Sequence, residues 1–393
     1  MHNSHMTRRR KSQILKDLDS KIIFLTGPRQ VGKTWLAHDI AKEFSKPVYL
    51  NYDSRFDREI IEKEAWLPST DLLVFDEIHK MPGWKSYLKG VFDTKPAKLK
   101  ILVTGSARLE YFRQTGESLS GRFFTHRLFP FSPGELAAAG LAIDLDRLIN
   151  RGGFPEPFLA EDSSGEEGAV FAQRWRKQYV DGLIREDVLD FEKFSDFKSL
   201  KLCLETLRSR VGSPVSYASI ARDIGIAPNT VKKYIYVFEE LYIVFRISPY
   251  TGYPAQPGSL SGGKIARSLL KEPKIYFFDT ALVEGDEGIK FENLVALALV
   301  KQAAAEEDLR GVPAALHYVR TKDGKEVDFC YVSNGKAQFI LEVKLSDSNI
   351  SKNLHFFHTK YKIPGLQLVK NLKRERQEGI EVRSAENWLG ELE

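Results

Sequence analysis

A chain of 393 residues, 42% of them hydrophobic, is too long for one domain at about one per ~150 residues and holds two or three buried cores. Its formal net charge of +5 permits a polyanionic partner without demanding one. Cys203 and Cys330 are too few for a disulfide framework or a cysteine-rich zinc site and fit a reducing cytoplasm; the longest apolar stretch, Leu294 to Val300, is far short of the ~20 residues of a membrane span, and the N-terminus lacks a signal-peptide core.

Met1 to His5 reads as a vector remnant, so the natural chain is taken to start near Met6, and Arg8-Arg9-Arg10-Lys11 is expected as a solvated basic start. The apolar run Ile22-Ile23-Phe24-Leu25 leads into Gly27-Pro28-Arg29-Gln30-Val31-Gly32-Lys33-Thr34. Strand, glycine-rich turn and following helix, here Thr34 to Phe44, make a phosphate-binding loop: successive backbone N–H groups face phosphate oxygens and the helix adds its positive end. All eight residues are candidate nucleotide contacts, with Lys33 reaching the β- and γ-phosphates and Thr34 ligating Mg²⁺. ATP and magnesium are the ligands this implies.

Val48-Tyr49-Leu50, Leu72-Leu73-Val74-Phe75 and Ile101-Leu102-Val103 follow as short apolar runs between helical spacers, the pattern of a parallel sheet covered on both faces. The second run ends in Asp76-Glu77, where one acid can hold Mg²⁺ through water and the other can polarise the attacking water, a division of labour that marks a hydrolase. Thr104-Gly105-Ser106 ends the next strand; Thr104 or Ser106 can sense the γ-phosphate from between the acids, and turn chemistry explains the same residues equally well. Positive charge for the phosphoryl transition state has to come from Arg108, Arg113, Arg122 or Arg127, and Arg122 is preferred because the Gly121 turn can present it, in cis or across a subunit boundary.

The set GPRQVGKT (27–34), LLVFDEIHK (72–80), LVTGSA (102–107), LSGRFF (119–124), LFPFSPGEL (128–136) and GGFPEP (152–157) resembles the bacterial and archaeal AAA-type ATPases, related to the STAND class, that carry a C-terminal domain of unknown function. The resemblance covers nearly the whole chain. It implies that the Gly152-Gly153-Phe154-Pro155 turn, through Gly153 and Pro155, lies near the nucleotide base in a helical lid; as a bare sequence it is simply a turn.

Between Phe131 and about Phe197 the pattern is helical, with a loop at Gly165 to Gly168 and an amphipathic helix, Ala169 to Asp190, carrying Trp175, Tyr179, Leu183 and Ile184. Tyr217 to Asp223, Gly225-Ile226-Ala227 and Pro228 to Tyr242 read as a helix-turn-helix, with Ile243 to Ile247 as a wing strand. Val231, Ile235, Phe238 and Leu241 form its buried stripe, leaving Asn229, Thr230, Lys232, Lys233 and Tyr236 to face a DNA duplex. The same module can equally serve only for packing.

Tyr250 to Gly263 reads as linker or excursion, and a further domain begins near Lys274-Ile275-Tyr276-Phe277-Phe278-Asp279. Glu292 lies in a helix from Phe291 to Gln302; strands follow at Tyr318 to Arg320, Glu326 to Phe329 and Phe339 to Lys344, the last two joined by the turn Ser333-Asn334-Gly335-Lys336. Strand alternation places Glu342 and Lys344 on one face, and pairing brings Asp328 alongside. Two carboxylates and a lysine there, with Glu292 as a further acid, can hold Mg²⁺ or Mn²⁺ and assist water attack on phosphate, the D…ExK pattern of restriction-endonuclease-like (PD-(D/E)XK) cores. Charged residues flanking apolar strands are also ordinary solvated faces, and such cores can be kept only to bind or pack. Lys322 and Lys352 are further phosphate contacts on this reading, whereas His355 and His358 read as a polar helix face.

The expected architecture is therefore α/β: an AAA-type parallel-sheet core over 6–130, a helical lid over 131–197, a winged helix over 198–250, a linker over 251–273 and a restriction-endonuclease-like domain over 274–393. The function expected is cytoplasmic Mg²⁺-dependent ATP hydrolysis coupled to a nuclease-like domain on DNA, in a chain able to form homo-oligomers; the competing reading is a nucleotide-gated switch with a protein partner.

Overall fold

The computed structural model describes residues 8–105, 119–161, 167–187, 196–252, 272–377 and 379–393. Ser106, Arg108, Arg113, Gly165, the end of the lid helix, the 1–5 segment and most of the 251–273 linker lie outside the described residues. Two units are distinguished: the chain up to Phe129 with Glu240–Tyr242, and Pro130–Glu239 with Ile243–Glu393.

In the first unit β1 (Ile22–Thr26), β2 (Pro47–Asn51), β3 (Leu72–Asp76), β4 (Lys100–Thr104) and β5 (Phe123–Arg127) form one parallel sheet in the order β2-β3-β4-β1-β5. Parallel neighbours need crossovers, supplied by the helices Lys33–Ala41, Arg55–Glu62 and Trp84–Thr94. β1 and β3 are buried at every residue, as central strands covered on both faces must be, whereas the edge strands β2 and β5 are half-exposed. Phe24, Phe75, Leu88 and Ile101 anchor the core on one face.

Two expectations change here. The strand β5 was hidden because Thr125-His126-Arg127 is polar; it forms because His126, fully buried, is held 2.9 Å from the Asp17 carboxylate. The basic start is not solvated: Arg8 and Arg10 are buried, Arg8 Nη2 donates to the Phe129 carbonyl at 2.5 Å, and Lys11 pairs with Asp39 and Glu43 at 2.9 and 2.8 Å.

The second unit is built on a seven-stranded mixed sheet, β12-β11-β10-β9-β8-β6-β7, from β6 (Val244–Pro249), β7 (Lys274–Phe277), β8 (Ala314–Arg320), β9 (Glu326–Ser333), β10 (Lys336–Lys344), β11 (Gly365–Val369) and β12 (Glu381–Ser384). The β9–β10 hairpin turns on Asn334 and Gly335, at φ 49° and 72°, the left-handed pair that a two-residue turn of this hand requires. The strand expected as a wing, β6, is instead internal to this sheet, antiparallel to β7 and parallel to β8, so the expected boundary between 250 and 274 falls within one sheet. Antiparallel pairing satisfies its backbone better than an isolated ribbon could.

Helices Pro133–Ala138, Leu145–Arg151, Pro155–Leu159 and Glu167–Gly182, the last continued by a wider turn at Leu183–Asp187, occupy the lid region. The helix-turn-helix appears as Tyr217–Ile224 and Pro228–Glu240, broken at Gly225 with φ 75°. The helix expected over 291–302 runs from Glu287 to Arg310; Glu306 in its extension accepts hydrogen bonds from Tyr331 and Ser333 at 3.0 and 2.6 Å. A buried Lys301–Glu135 ion pair ties this helix to Pro133–Ala138, and leaving either charge without the other would cost roughly 3–5 kcal/mol.

Candidate functional site

The C-terminal ends of β1, β3 and β4 lie side by side, Leu25 opposite Thr104 and Thr104 opposite Asp76, which gathers the loop, the acidic pair and the Thr104 turn at one end of the sheet. Gly27 takes φ 139° and approaches the Leu128 carbonyl so closely that a side chain would collide with it; Gln30 and Gly32 are left-handed at φ 58° and 95°. Lys33 starts the next helix, and its buried ammonium donates to the Gly27 and Pro28 carbonyls at 2.9 and 2.5 Å, curled inside the loop. Gly27 to Thr34 thus form one cradle, with Pro28 and Val31 buried beneath it, Arg29 half-buried and Gln30 and Thr34 exposed.

Asp76, 8% exposed, accepts from Thr104 Oγ1 at 2.6 Å, Tyr49 OH at 2.5 Å and Asn51 Nδ2 at 3.4 Å. Tyr49 also stacks on His38 at 4.5 Å; burial and the hydrogen bond to Asp76 push its phenol well above the ordinary value. Tyr49, Asn51 and Thr104 therefore hold Asp76 by hydrogen bonds, and the oxygen donors of Thr34 and Asp76 fit Mg²⁺. The Thr104 hydroxyl is committed to Asp76. Sequence reading passed over Tyr49 because Val48-Tyr49-Leu50 looked wholly buried; strand alternation with Asn51 is the signal that places both on the Asp76 side. Tyr49→Phe is expected to raise the Mg²⁺ needed for half-maximal turnover about tenfold, the cost of a lost hydrogen bond to a charged group, while metal-free nucleotide binding is unchanged; Mg²⁺ titration with a fluorescent nucleotide checks it.

Glu77 follows in a left-handed conformation, φ 56°, with its carboxylate 3.4 Å from Lys80 Nζ and 3.7 Å from the buried His79 Nε2. Arg122 is not with this group. Its carbonyl accepts from Ile22 N at 2.9 Å, at the opposite end of β1, and its guanidinium grips Asp93 at 2.8 and 3.0 Å. Five residues of strand separate it from its own loop by roughly 16 Å.

Gly153 and Pro155 belong to the second unit. A side chain on Gly152 would run into the Asp279 carboxylate, one on Gly153 would come within 2.5 Å of the Phe131 carbonyl, and Pro155 opens the helix Pro155–Leu159. Packing within that unit accounts for the glycine pair. In the second helix of the helix-turn-helix Val231, Ile235 and Phe238 are buried as expected, as is Leu241 just after it, along with Tyr234 and Val237; Asn229, Lys232, Lys233 and Tyr236 are exposed and Thr230 is half-buried.

The D…ExK residues come together. Asp328 accepts from Val343 N at 2.8 Å, and Glu342 Oε1 pairs with Lys344 at 2.9 Å. Asn293, fully buried, bonds the backbone of Phe277 and so fixes the helix that presents Glu292 to β7. There Glu292 Oε1 accepts from Tyr276 OH at 2.6 Å and lies 3.7 Å from Lys274 Nζ, which pairs with Glu326 at 2.7 Å. Burial, then the Asp328 charge, pushes Glu292 up to about 7; burial likewise raises Asp328 and Glu342. Among the described residues no three His, Cys, Asp or Glu side chains form a set that could hold a metal ion. Lys274, Tyr276 and Glu326 were missed by sequence reading because they fall in apolar or solvent-facing strand contexts. Lys322 and Lys352 are exposed; His355 is exposed and His358 Nδ1 is 2.8 Å from the Ile363 carbonyl, a polar face.

No helix among the described residues is long and apolar enough to cross a membrane. Residues 19–137 match the family described as AAA domain, residues 142–290 a domain of unknown function (DUF8612) and residues 287–387 another (DUF4143). The uncharacterized protein Rv2008c of Mycobacterium tuberculosis is 24% identical over 342 residues, covering 85% of this chain and 72% of its own length. The uncharacterized protein MJ1544 of Methanocaldococcus jannaschii is 23% identical over 375 residues, covering 86% and 78%. Among solved structures, the Walker-type ATPase paby2304 of Pyrococcus abyssi is 15% identical with TM-score 0.43, over 61% of this chain and 92% of that one. The Thermotoga maritima RuvB Holliday junction branch migration motor is 16% identical with TM-score 0.30, over 61% and 87%. With the loop, the acidic pair and the parallel sheet in this arrangement, residues 19–137 are an AAA-type P-loop ATPase domain.

Proposed function

We propose that this chain is a Mg²⁺-dependent ATP hydrolase that passes its nucleotide state to a DNA-binding second unit with a nuclease-like core. The observation that carries the hydrolase is Asp76 held by Tyr49 and Thr104 at the sheet end that carries the Lys33 loop, with Glu77 next in sequence. In the mechanism the loop backbone and Lys33 would bind the triphosphate, Thr34 and Asp76 would hold Mg²⁺, and Glu77 would take the proton of the attacking water. When bound, Mg²⁺ would supply charge neutralisation for the phosphoryl groups. Thr104 orients Asp76 through its hydroxyl hydrogen bond. Arg122, placed away from its own loop, completes a neighbouring subunit's site in a homo-oligomer.

The DNA part is supported by the exposed set Asn229, Lys232, Lys233 and Tyr236 on one helix face, and by the convergence of Asp328, Glu342 and Lys344. Metal at that core would be Mg²⁺ or Mn²⁺, with oxygen donors. The switch reading, with a protein partner, is favoured by the same helix offering only two lysines. Steady-state ATP turnover with Mg²⁺, measured without nucleic acid and with single-stranded, double-stranded and branched DNA, separates them. Stimulation by DNA that fades as salt rises, and that shrinks in Lys232→Ala with Lys233→Ala, is the expected result. A rate indifferent to every DNA form would leave the switch reading standing.

A further inference from the structure

The helix Lys352–Tyr361 and the turn 321–325 between β8 and β9 carry a group of cations outside the acidic core. The Phe356 ring gathers two of them: Lys325 Nζ lies 3.9 Å from its centroid and Lys360 Nζ 5.0 Å, and Lys360 also lies 5.5 Å from the centroid of Tyr361. Lys352, Phe356 and Lys360 follow one another at i, i+4 and i+8, a single stripe of the helix roughly 12 Å long. The other face of the helix holds the stripe in place, because Leu354 and Phe357 are buried, and Phe356 and Tyr361 pack half-buried against the same core. Lys322, Lys325, Lys352 and Lys360 are all exposed.

Other lysines of this unit are answered by acids: Lys274 by Glu326, Lys301 by Glu135, Lys344 by Glu342, and Lys370 by Asp146 and Glu287. Among the described residues no carboxylate pairs with Lys322, Lys325, Lys352 or Lys360. The chain has no Asp or Glu from Ser348 to Arg374; of the two acids at the turn, Glu326 is taken by Lys274 and Arg320, which leaves Asp323 at the tip. Two ammonium groups on one ring repel each other. The negative face of the ring offsets part of that repulsion, and an external anion reaching both groups would offset the rest.

We propose that this stripe is a clamp for the phosphate backbone of duplex DNA, with Lys325 and Lys360 as paired phosphate contacts, Lys322 and Lys352 as their flanks, and Phe356 as the positioning residue that holds the pair together. Lysines meet phosphate as point charges, and the stripe presents no guanidinium or amide fork to base edges, so it contacts every sequence alike. A duplex fits better than a single strand because the ring is already covered by ammonium groups and is not free to stack on a base. The inference rests on the reading that the second unit meets DNA and goes beyond it, since the helix-turn-helix face is a separate set of residues.

The test is the salt dependence of binding of fluorescent DNA duplexes of unrelated sequence to the full chain without nucleotide, with circular dichroism to confirm the fold of each variant. Lys325→Gln combined with Lys360→Gln is expected to weaken binding equally for every sequence. It should make the slope of log K against log salt shallower by about 1.8, roughly 0.9 for each lost phosphate contact. Phe356→Leu, which keeps both charges, should weaken binding about fivefold with the slope unchanged; should that variant not fold, the lysine arm decides. An unchanged slope in the double lysine variant overturns the inference, and if Lys232→Ala with Lys233→Ala still weakens binding, the DNA reading itself stands. A chain that binds no duplex removes both. A larger loss for single-stranded than for duplex DNA in the double variant overturns the duplex assignment, and an equal loss for a fluorescent polyglutamate peptide gives the surface to an acidic protein instead.

Discussion

Glu77→Gln should slow ATP turnover by about 10²- to 10⁴-fold, the usual worth of a positioned general base, while nucleotide binding stays close to wild type. The two effects separate because the groups that bind and the group that takes the proton are different. Lys33, Thr34 and the loop backbone lie in the cradle after β1, and Asp76 is fixed by Thr104 and Tyr49; none of these depends on the Glu77 carboxylate. Glutamine keeps the size of the side chain and the left-handed backbone at φ 56° but cannot accept the proton. Lys33→Ala, in contrast, should lose binding as well. Fluorescent-nucleotide titration and phosphate release on the same preparations check both, and a Glu77→Gln chain turning over at the wild-type rate would remove Glu77 from the mechanism.

Arg122→Ala should cost about 10³-fold or more in turnover, the range for an arginine that meets transition-state charge. The geometry fixes how. Arg122 sits before β5, at the end of the sheet remote from the loop, and Asp93 holds its guanidinium half-exposed. On the proposed reading it serves a neighbour's nucleotide rather than its own, and the deficit is expected there. Mixing Arg122→Ala with Lys33→Ala chains, each inactive alone, is expected to restore activity, because one contributes an intact loop and the other an intact arginine. Absence of rescue in a demonstrated mixed oligomer would show that Arg122 only secures Asp93.

The sequence by itself determined the phosphate-binding loop, the three strands beside it and the acidic pair, because each is written in contiguous residues whose spacing states its geometry: a glycine turn between apolar strand and helix, or two acids at a strand end. It likewise determined the helix-turn-helix and the hairpin that brings Asp328 to Glu342, since the period of the buried stripe and the Asn334-Gly335 turn are local properties. What only the tertiary structure decided depends on residues far apart in the chain. β5 exists because Asp17 reaches His126, and Arg8 and Arg10 are interior because their partners lie beyond residue-by-residue pattern. β6 became an internal strand because residues from 274 and 314 onward pair with it, which no property of its own sequence announces. Tyr49 reaches Asp76, Arg122 is sent to the wrong end of the sheet for its own loop, and Lys274 meets Glu292 and Glu326. Each of these is a matter of which end or face a side chain occupies once strands are ordered, and strand order is set by packing across the whole sheet rather than by any one segment.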